Sequence, residues 1–111
     1  MNSNRNHNPE TLPPDFMASM AESLKVLAHR DRLRIVELLD LLGESPVRVL
    51  IENIGLPQAT VSHHLNRMKR AGLIRSNRRG REIWYSIADA NSLTILNCMR
   101  KGRKSFRGDY T

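Results

Sequence analysis

Cysteine is almost absent: Cys98 stands alone among 111 residues. An intrachain disulfide is thereby excluded, and a reducing, cytoplasmic setting is the natural expectation. Long apolar runs are missing as well. No stretch approaches the ~20 residues of a membrane span, and the N-terminus lacks the apolar core of a secretory leader, so a soluble chain with no membrane partner is expected. Catalytic groupings are also lacking. His63 and His64 are neighbours that diverge by ~100° on a helix. No carboxylate cluster accompanies them, and neither a glycine-rich phosphate loop nor an activated nucleophile is visible, so an enzyme is not expected.

The most informative absence is acid. Residues 57–81 contain Arg67, Lys69, Arg70, Arg75, Arg78, Arg79 and Arg81 with no Asp or Glu, which is +7. Residues 1–56 hold six basic against eight acidic side chains, or −2, and residues 82–111 hold five against three, or +2. The net charge of +7 therefore resides in one block between two segments that cancel. A polyanion-binding face is the simplest reading of that distribution.

The length suits one domain with a single small core. Residues 15–100 carry it, between an N-terminal arm (1–14) and a basic tail (101–111). The arm holds four Asn and three Pro and no periodic apolar pattern, so it is expected to be disordered. The tail, with Lys101, Arg103, Lys104 and Arg107, is expected to be flexible, like Arg100 just before it.

Within the cationic block, Gly55 to Gly72 reads as a turn followed by one amphipathic helix. Pro57 suits the first helical position, where its absent N–H costs nothing, and Gly72 supplies a left-handed stop. Val61, Leu65 and Met68 fall on one stripe, and Ser62, His63, Asn66, Arg67 and Arg70 on the opposite arc. That arc carries amide and hydroxyl groups suited to base edges and guanidinium groups suited to guanine or phosphate. Taken by itself the segment also fits a solvated basic helix; the charge map favours the duplex-reading surface.

Upstream, Phe16, Met17, Met20, Leu24 and Leu27 recur at helical spacing. Val26 lies on the opposite face and hints at a second contact, such as a subunit partner. His29, Arg30 and Asp31 look like a tight joint, after which Leu33, Val36, Leu39 and Leu42 mark a second helix. Two readings fit Arg32 and Arg34: phosphate contact, or ion pairs with Asp31, Glu37 or Asp40, the second being favoured. Pro46 opens a third helix with Val47, Leu50, Ile51 and Ile54 on its buried side, and Gly55 permits the reversal into the basic helix. Helix, glycine turn, helix is the helix-turn-helix arrangement, whose second member enters the major groove.

After Gly72 the period falls to two. Leu73–Ser76 and Glu82–Ile87 read as strands around the turn Asn77–Gly80, with Ile83, Tyr85 and Ile87 alternating against Glu82, Trp84 and Ser86. Such a hairpin is a wing, and Arg78, Arg79 and Arg81 are placed to meet phosphates or the minor groove. Trp84 and Tyr85 are expected to pack on the helices rather than to stack on bases. A last helix, Ala90–Arg100, spreads Leu93, Ile95, Leu96 and Met99 over a wide arc. One small domain has too little surface to cover that arc and the first helix together, which predicts homodimerisation through the terminal helices.

These residues resemble the ArsR/SmtB family of small dimeric winged-helix repressors, over Met20 to Asn97. Leu24–Val36 looks like that family's signature around its first two helices. Thr60–Leu65 (Thr-Val-Ser-His-His-Leu) resembles its recognition-helix motif, and Ala71–Ile74 with the arginine-rich hairpin ending Tyr85-Ser86 resembles its wing. The resemblance implies a mainly α winged helix-turn-helix of about five helices and a two-stranded wing, dimeric through the terminal helices. It also implies a regulator that binds a double-stranded, inverted-repeat operator and represses transcription until an inducer, which no residue identifies, relieves it. By the same resemblance Gln58, Ala59, Ser62 and His63 face bases, and Thr60 and Arg67 contact the backbone. His64 lies beside the Val61 and Leu65 stripe and is expected to be structural.

Two metal-sensing layouts of that family do not carry over. Pro46 and Arg48 stand where one layout places Cys-x-Cys. Asp89 is present for the other, but Asn91 replaces its histidine and no histidine follows His64. No metal of those layouts and no cofactor is expected. Two readings fit Cys98, an inert thiol and a redox-sensing one, the first being favoured. The residues themselves leave open a winged helix that serves RNA or protein without operator specificity.

Overall fold

Among the described residues, proline and glycine cut the apolar periodicity into five helices and three short strands. They run α1 (Pro14–Leu27), α2 (Arg30–Leu42), β1 (Ser45–Pro46), α3 (Val47–Ile54), α4 (Gln58–Arg70), β2 (Ile74–Arg79), β3 (Glu82–Ile87) and α5 (Ala90–Gly108). The computed structural model describes residues 10–108. Residues 1–9 of the expected arm and 109–111 of the expected tail lie outside them.

One core joins the elements. Leu27 comes from α1, Ile35, Val36 and Leu39 from α2, Leu50 from α3, Val61, Leu65 and Met68 from α4, Ile74 and Tyr85 from the ribbon, and Leu96 from α5. Each such aliphatic side chain contributes ~1.5–3 kcal/mol on burial. Three of them come from α4, so the basic helix is seated by the same contacts that make the fold.

Several details depart from the sequence reading. Ile35, not Leu42, completes the α2 stripe: Ile35 is fully buried and Leu42 is exposed. On α1 the expected face divides. Leu27 is buried and Met20 half-buried, but Phe16, Met17 and Leu24 are exposed, while Val26 packs against the core. Only the C-terminal end of α1 reaches the body of the domain, which explains the reversal. The joint before α2 is also shorter, because His29 is the N-cap and Arg30 and Asp31 are already helical.

Helix α5 runs to Gly108 instead of stopping near Arg100. The added segment is rich in Lys and Arg, good helix formers, and Gly102, at a cost of ~1 kcal/mol, does not stop it. Arg100 donates to Asp40 Oδ2 of α2 at 2.8 Å and to Asn97 Oδ1, so it is held rather than part of a loose tail.

The sheet has three strands in the order β1-β3-β2, not two. A residue before proline is pushed to extended backbone, and Ser45 and Pro46 pair antiparallel with Tyr85 and Trp84. Pro46 is thus the N-cap of α3 and not its first residue. The hairpin turn is also displaced. Arg79 pairs with Glu82, Arg78 with Ile83 and Asn77 with Trp84, leaving Gly80 and Arg81 as a two-residue turn. Gly80 has φ 63°, no non-glycine residue has positive φ among the described residues, and glycine at the first central position is the type II′ pattern that matches strand twist.

Candidate nucleic-acid interface

Gly55 makes the first turn of the interface. Its backbone is left-handed (φ 78°, ψ 21°) and its N–H donates to Ile51 O, closing α3 and reversing the chain. Leu56 packs against the core and α4 begins at Gln58. Pro57 is the N-cap and not the first helical residue, so the helix starts one residue later than expected, because the ψ of Pro57, 148°, is extended and its carbonyl accepts from Thr60 N and Val61 N. At the far end Leu73 N donates to Met68 O and Gly72 N to Lys69 O, a Schellman stop with Leu73 and Met68 both buried.

Between these ends the arc is as the spacing predicts. Val61, Leu65 and Met68 are fully buried; Gln58, Ala59, His63, Asn66, Arg67, Lys69 and Arg70 are exposed, and Thr60 and Ser62 are half-exposed. The first turn of α4 has no acid, and its last turn holds Arg67, Lys69 and Arg70. The positive end of the helix dipole is therefore left uncompensated, which favours a phosphate near it.

The ribbon stands beside α4, its base closed by Ala88 N donating to Leu73 O at 2.9 Å. Alternation puts Ile74, Ser76 and Arg78 on one side, with their partners Ile87, Tyr85 and Ile83, and Arg75, Asn77 and Arg79 on the other. Tyr85 is buried, as expected, and burial raises its phenol pKa above the usual value. Arg79 behaves differently from its neighbours. Its guanidinium pairs with Glu44 and lies 4.6 Å from the centre of the Trp84 ring, so it ties the wing to the β1 segment. Arg48 of α3 donates to Glu82 at 2.6 Å and makes a second tie. Arg67, Lys69, Arg70, Arg75, Arg78 and Arg81 have no carboxylate partner among the described residues.

Behind α4 lies a polar cluster. His64 is 5% exposed, and its Nδ1 accepts from Arg32 Nε at 3.1 Å, while Arg32 also donates to Val26 O at 3.0 Å. Arg32 thus joins α1, α2 and α4, in place of the phosphate or carboxylate partners expected for it; Arg34 pairs with Glu37 as expected. Burial, and after it the neighbouring His29 and Arg32, lower the His64 pKa below its usual 6.5, partly opposed by Asp31.

Residues 29–76 match the sequence profile of "Bacterial regulatory protein, arsR family". The transcriptional regulator NmtR of Mycobacterium tuberculosis is 37% identical over 93 residues, covering 84% of this chain and 77% of that one. The chain belongs to the arsR family of bacterial regulatory proteins.

It is a DNA-binding transcriptional regulator with a winged helix-turn-helix fold. The crystal structure of the transcriptional repressor PagR of Bacillus anthracis superposes with a TM-score of 0.70 at 37% identity, over 75% of this chain and 94% of that one. A homodimeric winged helix-turn-helix DNA-binding domain from Mycobacterium bovis superposes with a TM-score of 0.69 at 27% identity, over 81% and 82%. The two metal-sensing layouts named above do not fit this arsR chain. Pro46 is in β1, Arg48 holds Glu82, and Asp89 Oδ1 caps α5 by accepting from Asn91 N at 2.9 Å.

Sequence reasoning missed the two wing ties and the Arg32–His64 contact. Their partners are 32 to 35 residues apart, and no local period signals such pairs. Opposite charges in Glu44, Arg48, Arg79 and Glu82 were the only hint.

Proposed function

We propose that the chain represses transcription in the cytoplasm as a homodimer, each copy placing α4 in a major groove of an inverted-repeat operator. Gln58, Ala59, Ser62, His63 and Asn66 meet base edges; Thr60, Arg67 and Arg70, with Arg78 and Arg81 of the wing, hold phosphates. Arg79 braces the wing that presents them. The observation that carries this reading is the acid-free cationic block, displayed on one helix arc and the adjoining ribbon, in which every cation but Arg79 is without a carboxylate partner among the described residues.

Repression is supported by likeness to PagR, named a transcriptional repressor. Pairing of copies is supported by the homodimeric relative and by the apolar side chains left exposed on the terminal helices, Phe16, Met17 and Leu24 on α1 and Met99 on α5. Footprinting on the promoter of the chain's own gene tests the proposal. Two protected half-sites about one helical turn apart, or a multiple of it, are expected. A single unsymmetrical footprint, or a monomer in sedimentation at micromolar concentration, contradicts it.

A further inference from the structure

The cluster behind α4 offers more than a hydrogen bond. His29 at the start of α2, Asp31 in its first turn and His64 in the middle of α4 bring one donor atom each to within 4.8 Å of one another. Asp31 Oδ2 is 3.9 Å from His29 Nδ1 and 3.9 Å from His64 Nε2. We propose that His29, Asp31 and His64 bind one divalent first-row transition ion of the zinc type, with water completing the coordination.

Two imidazoles and a carboxylate form the kind of donor set that holds zinc, at ~2.0–2.2 Å from each atom. Tetrahedral donors at that radius are about 3.4 Å apart, so each 3.9 Å pair closes by roughly half an ångström. The side chains are 40%, 25% and 6% exposed in the order His29, Asp31, His64, so an ion enters from the His29 side and is backed by His64. The site shares no residue with either layout excluded above.

Coordination changes the His64 tautomer. Nδ1 accepts from Arg32, so the proton of the neutral ring is on Nε2, facing Asp31. When the ion takes Nε2 that N–H bond breaks and its proton passes to solvent. Nδ1 takes up a proton in exchange, leaving the ring neutral, and no electron moves. Nδ1–H then faces the Arg32 donor, and Arg32 has to withdraw. The ion thus replaces the Arg32–His64 contact as the link between α2 and the recognition helix. Coordination through His29 Nδ1 likewise releases the Asp31 N–H it now accepts at 3.1 Å.

The test uses the full chain stripped of metal, titrated with zinc against a chromophoric chelator and with cobalt read by its visible absorption. One ion per chain is expected, with the strong bands of a four-coordinate cobalt site. Asp31→Asn and His29→Ser, the latter keeping a capping side chain, are expected to weaken binding by more than ~10-fold, as is His64→Gln. Removal of the competing donor and charge in Arg32→Leu is expected to tighten it, a gain that a merely structural cluster does not produce. Circular dichroism confirms that each variant is folded, and His29→Ser with Asp31→Asn decide the matter if His64→Gln is not. Absence of stoichiometric binding, undiminished binding in both α2 variants, or loss of the ion on His7→Ala or His63→Ala overturns the proposal. None of these readouts needs DNA, so their failure leaves the operator reading untouched.

Discussion

The recognition helix and the wing carry the same charge but are held in different ways. Helix α4 is seated by Val61, Leu65 and Met68, each fully buried, so its position comes from apolar packing and its outer arc is free of internal duties. The wing packs on the core only at its base, through Ile74, Tyr85 and the half-buried Ile87. It is fixed instead by Arg79 with Glu44 and Trp84, by Arg48 with Glu82, and by the β1 pairing. Apolar packing is not screened by salt, whereas exposed ion pairs are. The helix is thereby suited to geometry that must not vary, and the wing to adjustable grip on a backbone.

The contrast is broken most severely from beneath the helix. Leu65→Ala removes a fully buried side chain and should cost ~2–5 kcal/mol in denaturant unfolding, enough to abolish binding to every duplex. On the outer arc, Ser62→Ala or His63→Ala should leave unfolding unchanged yet erode the preference for operator over random DNA by ~1–3 kcal/mol wherever a good base contact is lost. On the ribbon, Arg78→Ala or Arg81→Ala should weaken binding to all sequences and flatten the salt dependence by ~1 unit per lost phosphate contact. Arg79→Ala separates bracing from contact. It should lower stability by about 1 kcal/mol through the lost pair and ring contact, and more so at low salt than at high.

The smallest effect is expected from acid. The His64 pKa is lowered by burial, His29 and Arg32, so between 6.5 and that lowered value the unfolded chain binds more protons than the folded one. The contribution is intact above 6.5 and is lost as pH falls through the window, with His29, His63, Arg32 and Asp31 all facing the ring. A melting temperature that declines with acid in the wild type, and less steeply in His64→Gln, is the expected result.

Much of the interface was legible because it is local. Pro57, Gly72 and the Val61, Leu65 and Met68 stripe fix the register of α4 within eighteen residues, and the acid-free block is a matter of counting. The turn was misplaced because Asn77, Arg78 and Arg79 are ordinary turn formers by type; only pairing with Trp84, Ile83 and Glu82 makes them strand. The face of α1 was misjudged for a related reason. Spacing tells which residues share a side, but which side meets the core depends on where the helix lies against α2 and α5. Nothing near Arg79 in the sequence distinguishes it from Arg78 and Arg81. Its role is set by Glu44, 35 positions earlier.

The most direct test of the division between helix and wing is a salt titration of duplex affinity, run in parallel for wild type, His63→Ala and Arg78→Ala on operator and scrambled DNA. The account predicts that Arg78→Ala lowers the slope equally on both duplexes, while His63→Ala narrows the gap between them at unchanged slope. If the two variants shift both duplexes in the same way, the helix does not read bases and the account fails.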